Sequence, residues 1–134
     1  MTREKDIMSC CSDKMEPVTA DSCCTPRDTA QQAATTMRET GCGCSPVVKD
    51  KESRKVVGVA TERDVCHKVA VDDRRASEVL VEEIMRSTHA CCGKDESLEN
   101  VRRKLHEQMA TSLPVVDSVG DCCGTISAHN LDLK

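Results

Sequence analysis

The sequence has no phenylalanine, tyrosine or tryptophan among its 134 residues. Aromatic side chains bury the largest area per residue, so a core without them must be built from Val, Leu, Ile, Met, Ala and Cys. Such a core is thin for a chain of this length. We therefore expect self-association or a bound ligand to supply part of the stability.

Long apolar runs and clustered positive charges are also missing. No apolar stretch approaches the roughly 20 residues that a membrane-spanning helix needs, and the amino end lacks the apolar stretch of a signal peptide. The 19 Lys and Arg residues and the 23 Asp and Glu residues are interspersed and give a net charge of -4. Nucleic-acid binding would need Lys and Arg clustered on one face. We expect a soluble, cytoplasmic protein that has neither nucleic acid nor a membrane as a partner.

The sequence motifs of the common catalytic sites are absent as well. There is no GxxxxGK[ST] phosphate loop, no GxGxxG after a strand, no GxSxG elbow and no HExxH. A Cys-His nucleophile drawn from Cys66 and His67, or from His89 and Cys91, would need side chains that point apart on regular elements. The sequence therefore predicts no enzyme activity and no catalytic residue.

Cysteine, in contrast, is abundant, with 11 residues. An odd number cannot be fully paired, and without a secretory signal reduced thiols are expected rather than disulfides. No CxxC unit is present, so no metal site is predicted, and the pairs at 91–92 and 122–123 are expected to be small core residues. Four others lie in more polar, partly glycine-containing stretches, which predicts exposed, reactive thiols: Cys10, Cys11, Cys42 and Cys44.

The chain contains an internal repeat. A constant shift of 68 residues aligns the first part of the two copies, and the shift becomes 66 after the PVV sequences because the first copy has two more residues in its loop. The aligned landmarks are identical or similar residues: 23–24 with 91–92, Met37 with Leu105, 46–48 with 114–116, Gly58 with Gly124, Thr61 with Ser127, and Asp64 with Asn130.

Each copy shows the same succession of patterns. Apolar residues at helical spacing predict an amphipathic helix, which starts near Pro26 in the first copy and ends before Gly41. In the second copy this helix is predicted to place four residues in the core: Leu98, Val101, Leu105 and Met109.

Two β-branched runs follow each of these helices and predict a hairpin, at 46–48 with 56–60 and at 114–116 with 122–126. Thr61 and Ser127 then stand where a hydroxyl caps a second helix. The last helix is short, because only residues 128–134 remain for it. These patterns divide the chain into an N-terminal segment (1–20, partly disordered or a short helix), a first repeat (21–73), and a crossover segment with a second repeat (74–134).

The residues in this order resemble a pair of CBS domains, the Bateman module. The resemblance rests on GVATERDV at 58–65, EIM at 83–85 and LPVVD at 113–117, with DIM at 6–8 as the counterpart of EIM, and it covers about residues 21–134. It implies an α/β (α+β) fold in which two β-α-β-β-α repeats pack with pseudo-twofold symmetry. It also implies a homodimer.

The function implied by the resemblance is regulatory. An adenosine-containing nucleotide (AMP, ADP, ATP, NAD or an S-adenosyl compound) would bind in the clefts between the repeats and influence an unidentified partner protein, with no tightly bound cofactor. In the first cleft, Asp64 would accept hydrogen bonds from the ribose hydroxyls, Thr61 would contact ribose or phosphate, and Arg63 would face phosphate. Val59 would line the base pocket, where aliphatic contacts replace ring stacking.

The second cleft departs from the family pattern. Ser127 is present, but Asn130 stands where the family usually has Asp, so the group that would meet the ribose carries no charge. We expect the two clefts to differ in affinity.

Two other functions remain open at this point. One is a metal or redox responder that uses the four cysteines predicted to be exposed. The other is a purely structural dimerisation module with empty clefts.

Overall fold

The first repeat consists of helix α1 (Ala30–Thr40), strands β1 (Cys44–Val48) and β2 (Val56–Thr61), and helix α2 (Glu62–Val65). Helix α2 continues into a π-helical turn, Cys66–Ala70. This computed structural model describes residues 14–17 and 22–131. In that part of the chain, no helix is long and apolar enough to cross a bilayer.

The second repeat follows the same order. It consists of β3 (Cys92–Gly93), α4 (Leu98–Gln108), β4 (Ser112–Val116), β5 (Cys122–Ser127) and α5 (Ala128–Leu131). The crossover segment between the repeats contains a 3₁₀ turn (Ala76–Glu78), helix α3 (Val81–Ile84) and a second 3₁₀ turn (Thr88–Ala90). Strand β3 runs parallel to β4, and in the first repeat a parallel bridge between Cys24 and Val47 takes its place. The predicted β-α-β-β-α plan is confirmed.

The two hairpins share their register and their irregularity. Pro46 lies opposite Val59 in the first hairpin, and Pro114 lies opposite Thr125 in the second. The register of each pair shifts once, after Val47 and after Val115. Because both residue pairs are related by the shift found in the sequence, the repeat is present in space as well.

The hairpins are joined edge to edge and share one core. The Val56 amide donates to the Gly120 carbonyl at 3.0 Å, and the Cys122 amide donates to the Arg54 carbonyl at 3.0 Å. Buried side chains of both repeats meet between the sheets. They are aliphatic or cysteine, as a chain without aromatics requires: Cys44, Val59, Ala90, Cys92, Val101, Leu105, Leu113, Val115, Ile126 and Leu131.

The ends of the first helix in each repeat differ from the sequence prediction. Helix α1 begins at Ala30 and not near Pro26, because Thr29 forms a capping box with Gln32. Helix α4 begins after the cap Ser97 and ends at Gln108. Met109 follows in the left-handed region (φ 52°) and its side chain is 64% exposed, so the prediction that it belongs to the core is wrong.

Two segments cross the hairpins at equivalent places. The Arg86 backbone pairs with Val59, and the Glu16 backbone pairs with Thr125. Each crossing passes over a glycine. A Cβ at Gly58 would overlap the Arg86 carbonyl oxygen, and one at Gly124 would lie 2.6 Å from the Glu16 carbonyl oxygen. The predicted counterpart of EIM, at residues 6–8, lies outside the described residues.

We predict that Gly58→Ala lowers the free energy of unfolding by about 2 kcal/mol, because the added methyl group must displace the Arg86 backbone. Gly93→Ala is the control, since a Cβ there has only ordinary contact, 3.8 Å from Glu96 Oε1. Urea denaturation followed by far-ultraviolet circular dichroism measures both variants. Equal stability of the two would contradict the close crossing.

Candidate ligand clefts between the repeats

The carboxylate of Asp64 is the centre of the first cleft. Its Oδ2 accepts hydrogen bonds from the Thr61 amide and the Thr61 hydroxyl, both at 3.0 Å, and the Asp64 amide donates to Thr61 Oγ1 at 3.2 Å. Both side chains are only 2% exposed. Thr61 ends β2 and caps α2, so the strand-to-helix junction alone places the pair as the sequence predicted.

A charged residue that the sequence analysis did not single out completes this cleft. Arg86 Nε lies 3.0 Å from Asp64 Oδ1 and 3.1 Å from Oδ2, and Arg86 Nη2 donates to Thr61 Oγ1 at 3.2 Å. Lys68 Nζ lies 3.3 Å from Asp64 Oδ1, but its side chain is 47% exposed. Arg86 is 18% exposed, so it supplies the less screened charge.

Arg86 also reaches the second repeat. Its Nη1 donates to the carbonyl oxygen of Gln108, the last residue of α4, and to the side-chain Oε1 of Gln108 at 3.2 Å. One guanidinium group therefore links the carboxylate of the first repeat to a helix end of the second.

The second cleft has the same hydrogen-bond geometry with an uncharged centre. Asn130 Oδ1 accepts from the Ser127 amide at 3.1 Å and from the Ser127 hydroxyl at 2.8 Å. Asn130 Nδ2 donates to Glu16 Oε2 at 3.2 Å. Glu16 thus takes the place of Arg86, because both residues pair with equivalent strand positions. The two centres share their hydrogen-bond geometry and differ in the charge that faces them, a guanidinium in the first and a carboxylate in the second.

A cavity of about 420 Å³ lies at the second cleft. Its described lining contains no Lys or Arg. The lining residues come from the end of α1, from β4 and β5, and from the Glu16 segment: Glu16, Thr40, Gly41, Cys42, Gly43, Thr111, Ser112, Thr125, Ser127, Ala128, His129 and Asn130.

Two residues assigned to the first cleft lie apart from its polar centre. Val59 is fully buried in the core between the hairpins, and its backbone pairs with Arg86. Arg63 is exposed on α2. Their assigned contacts with base and phosphate stay predictions. Arg86 was missed because only folding brings residue 86 next to residue 64, although its place directly after the EIM sequence marks it as part of the segment leading into the second repeat.

The cysteines are largely core residues. Cys91, Cys92 and Cys122 are buried, as predicted, whereas Cys123, predicted with them, is only half-buried. The prediction that Cys44 is exposed is wrong, because it begins β1 and its side chain faces the shared core, 2% exposed.

Cys42 is half-buried and lines the second cleft, whereas the exposed thiol among the described cysteines is Cys66. Cys10 and Cys11 lie outside the described residues. Within residues 14–17 and 22–131, no disulfide forms and no group of three or more His, Cys, Asp and Glu residues converges as a metal site would.

We predict that Arg86→Met destabilises the fold by about 3 kcal/mol, because Asp64 then keeps its buried charge without its main partner. Adding Asp64→Asn should recover much of this loss, since the neutral amide repeats the arrangement that Asn130 already forms in the second cleft. Urea denaturation of the two single variants and the double variant measures the coupling. Additive effects of the two substitutions would contradict the ion pair.

Comparison with known proteins gives a consistent match. The family model described as the CBS domain matches residues 5–71 and 81–132. The uncharacterized protein MK0525 of Methanopyrus kandleri is 27% identical over 106 residues, which are 79% of this chain and 53% of that protein. The inosine-5'-monophosphate dehydrogenase of Streptococcus pyogenes is 32% identical over 111 residues, 81% of this chain and 21% of the enzyme. The chain thus spans about half or less of the length of these curated relatives.

Solved structures share the fold. Hypoxic Response Protein I, crystallised with two coordinated zinc ions, superposes with a TM-score of 0.76 and 20% identity over 94% of this chain and 100% of its own. CBSX2 in complex with AMP superposes with a TM-score of 0.69 and 22% identity over 90% of each chain. The family match covers most of the sequence and both structural repeats, and the chain therefore belongs to the CBS domain family as a tandem CBS pair.

Proposed function

We propose that this CBS pair is a regulatory module that binds an adenosine-containing nucleotide in the first cleft, between the repeats. The observation that carries the proposal is the Asp64–Arg86 pair, a carboxylate and a guanidinium held side by side where the two repeats meet. A carboxylate suits two ribose hydroxyls, and a guanidinium suits a phosphate. The AMP complex of CBSX2 supports this class of ligand for the fold.

Binding requires the side chains of the first cleft to exchange partners. Asp64 accepts from the ribose hydroxyls, and Thr61 turns its hydroxyl to the ribose or phosphate. Arg86 leaves the carboxylate and pairs with the phosphate, where the exposed Arg63 gives a second positive charge. Aliphatic side chains hold the base, because the chain has no aromatic ring. Val59 is fully buried in this structure, so it joins them only when binding opens the end of its strand.

The second cleft is a poorer site for a phosphate. Its described lining holds the Glu16 carboxylate and no Lys or Arg, so a phosphate there meets a like charge. Ser127 and Asn130 can hydrogen-bond a ribose, but Asn130 brings no charge to it. We therefore assign AMP, ADP and ATP to the first cleft, and to the second cleft at most an adenosine compound without added negative charge, such as an S-adenosyl compound.

The regulatory step follows from the second contact of Arg86. When Arg86 turns toward a phosphate, its hydrogen bonds to Gln108 at the end of α4 are lost. The direct contact between the repeats through Arg86 and Gln108 is then replaced by contacts through the nucleotide. How the repeats are held together therefore depends on whether the nucleotide is bound. A ligand that binds one arrangement of the repeats more tightly shifts the population of molecules toward that arrangement. A partner protein that binds only this arrangement is thereby regulated by the ligand.

Two equivalent grooves on the helical side support a homodimer, which we place in the cytoplasm as the sequence predicts. The groove between α1 and α2 has a volume of about 420 Å³ and includes Met37 and Val65. The groove between α4 and α5 has a volume of about 390 Å³ and includes Leu105 and Leu131, which the repeat relates to those two residues. Most of these side chains are already buried, but Met109 in the second groove is 64% exposed. A second copy that covers both grooves removes this side chain and the groove walls from water.

Isothermal titration calorimetry with AMP tests the proposed site. Asp64→Asn should weaken AMP binding about tenfold or more, because a hydrogen bond to a charged acceptor contributes about 1.5–3 kcal/mol. The variant keeps the capping geometry that Asn130 forms in the second repeat but loses the ion pair with Arg86. Far-ultraviolet circular dichroism under the titration conditions must therefore show that it is folded, so that the loss measured is one of binding.

Ser127→Ala is the matched control in the second cleft and should leave the affinity for AMP unchanged. If Ser127→Ala weakens AMP binding while Asp64→Asn does not, the nucleotide occupies the second cleft and the assignment is wrong. If neither variant alters binding, or the wild type binds no AMP, ADP or ATP, the purely structural module becomes the better account.

A further inference from the structure

Cys42 lies in the wall of the second cleft, where its side chain meets two other polar groups. The residue follows Gly41 at the end of α1, and its amide donates to the Met37 carbonyl at 3.2 Å. Its Sγ lies 3.3 Å from Ser112 Oγ of the second repeat. The thiol of Cys44, two residues further along, also hydrogen-bonds to it. A sulfur in this position is half-buried and borders a cavity of about 420 Å³.

These neighbours favour the thiolate form of Cys42. The hydrogen bond from the Cys44 thiol, assisted by Ser112 and opposed by burial, lowers the pKa of Cys42 to about 5. The same hydrogen bond, with full burial, raises the pKa of Cys44 well above its usual range, so Cys44 is the donor of the pair. The other titratable groups around the cleft are Glu16, His129 and Glu62, whose carboxylate lies near Gly43.

One other pair of described cysteines is similar, because a hydrogen bond from Cys122 lowers the pKa of Cys23. Cys23 is only 2% exposed, however, so its sulfur is buried, whereas that of Cys42 borders the cleft.

Burial raises the pKa of Cys24 to about 11 and that of Cys91 to about 12. Cys66 is exposed but lies on the π-helical turn, with no second cysteine among its neighbours in sequence. The Cys-Gly-Cys sequence at 42–44 therefore differs from the rest of the described cysteines in having an accessible sulfur and a buried thiol beside it.

We propose that the second cleft is a thiol oxidation site, in which Cys42 reacts with hydrogen peroxide and Cys44 then closes a disulfide with it. The Cys42 thiolate attacks one peroxide oxygen, the O–O bond breaks, and the leaving hydroxide takes up a proton to become water. Cys42 is then a sulfenic acid. The Cys44 sulfur attacks the Cys42 sulfur, an S–S bond forms, and the sulfenic hydroxyl leaves with the Cys44 proton as a second water. Two thiols are oxidised and one peroxide is reduced.

The backbone permits this closure. Cys42 and Gly43 precede strand β1, and the chain bends at Gly43 before β1 begins at Cys44. The two thiols are already hydrogen-bonded to each other, so their sulfurs lie side by side before any bond forms. Oxidation removes a negative charge from the cleft wall and ties the end of α1 to β1, which changes the space next to Ser127 and Asn130.

Alkylation of the wild-type protein by iodoacetamide is the first measurement. Trypsin yields the peptide 39–49, which contains only Cys42 and Cys44, and the peptide 64–68, which contains only Cys66. At pH 6 Cys42 should be alkylated at least about tenfold faster than Cys66, because its neighbours keep the Cys42 sulfur in the reactive thiolate form. The Cys42 rate should fall by half near pH 5. A Cys42 rate equal to or below that of Cys66 would overturn the proposal.

Treatment with one equivalent of hydrogen peroxide is the second measurement. The peptide 39–49 should lose two hydrogens, while Cys66→Ser, the matched control, should behave as the wild type. In Cys44→Ser the disulfide cannot form, and Cys42 should instead be trapped by dimedone as the sulfenic acid. Should Cys44→Ser fail to fold, the wild-type mass shift alone decides. A peptide 39–49 that stays reduced, or gains oxygen without forming the link, contradicts the assignment.

Discussion

The ion pair between Asp64 and Arg86 is the interaction on which the two repeats depend. The Asp64 carboxylate is 2% exposed and already satisfies a helix cap, so it has a local role in the first repeat. Arg86 neutralises this charge and at the same time holds the end of α4 through Gln108. Because removing one partner would leave a buried charge, the local cap and the arrangement of the repeats are stabilised together. A ligand that offers Asp64 and Arg86 new partners therefore acts on both.

The second repeat contains the same arrangement with the uncharged Asn130 in the place of Asp64. Ser127 and Asn130 repeat the cap with closely similar distances, and Glu16 occupies the place of Arg86. The duplicated fold thus keeps its hydrogen bonds while its two clefts acquire different chemistry. One centre holds a carboxylate and a guanidinium, and the other combines a carboxylate, an amide and the thiol of Cys42. Divergence at these few side chains is enough to give the two clefts different chemistry.

Much of this structure can be predicted from the sequence, because an internal repeat and the spacing of apolar residues are visible in the order of the residues alone. The 68-residue shift, the PVV strands and the hydroxyl caps at Thr61 and Ser127 located the hairpins and the cap pairs. The contributions of Arg86, Gln108 and Glu16 could not be predicted, since their contacts depend on how two repeats cross. Three predictions were wrong for local reasons. The first helix does not start near Pro26, because a capping box fixes its start further along the chain. Met109 is exposed because its backbone is left-handed, and Cys44 is buried because it begins a strand.

A crystal structure of the AMP complex tests the central claim most directly. We expect the ribose hydroxyls on Asp64, the Arg86 guanidinium on the phosphate, and the contact between Arg86 and Gln108 broken. A complex in which AMP occupies the second cleft beside Glu16, with Arg86 still paired to Asp64 and Gln108, would contradict the account.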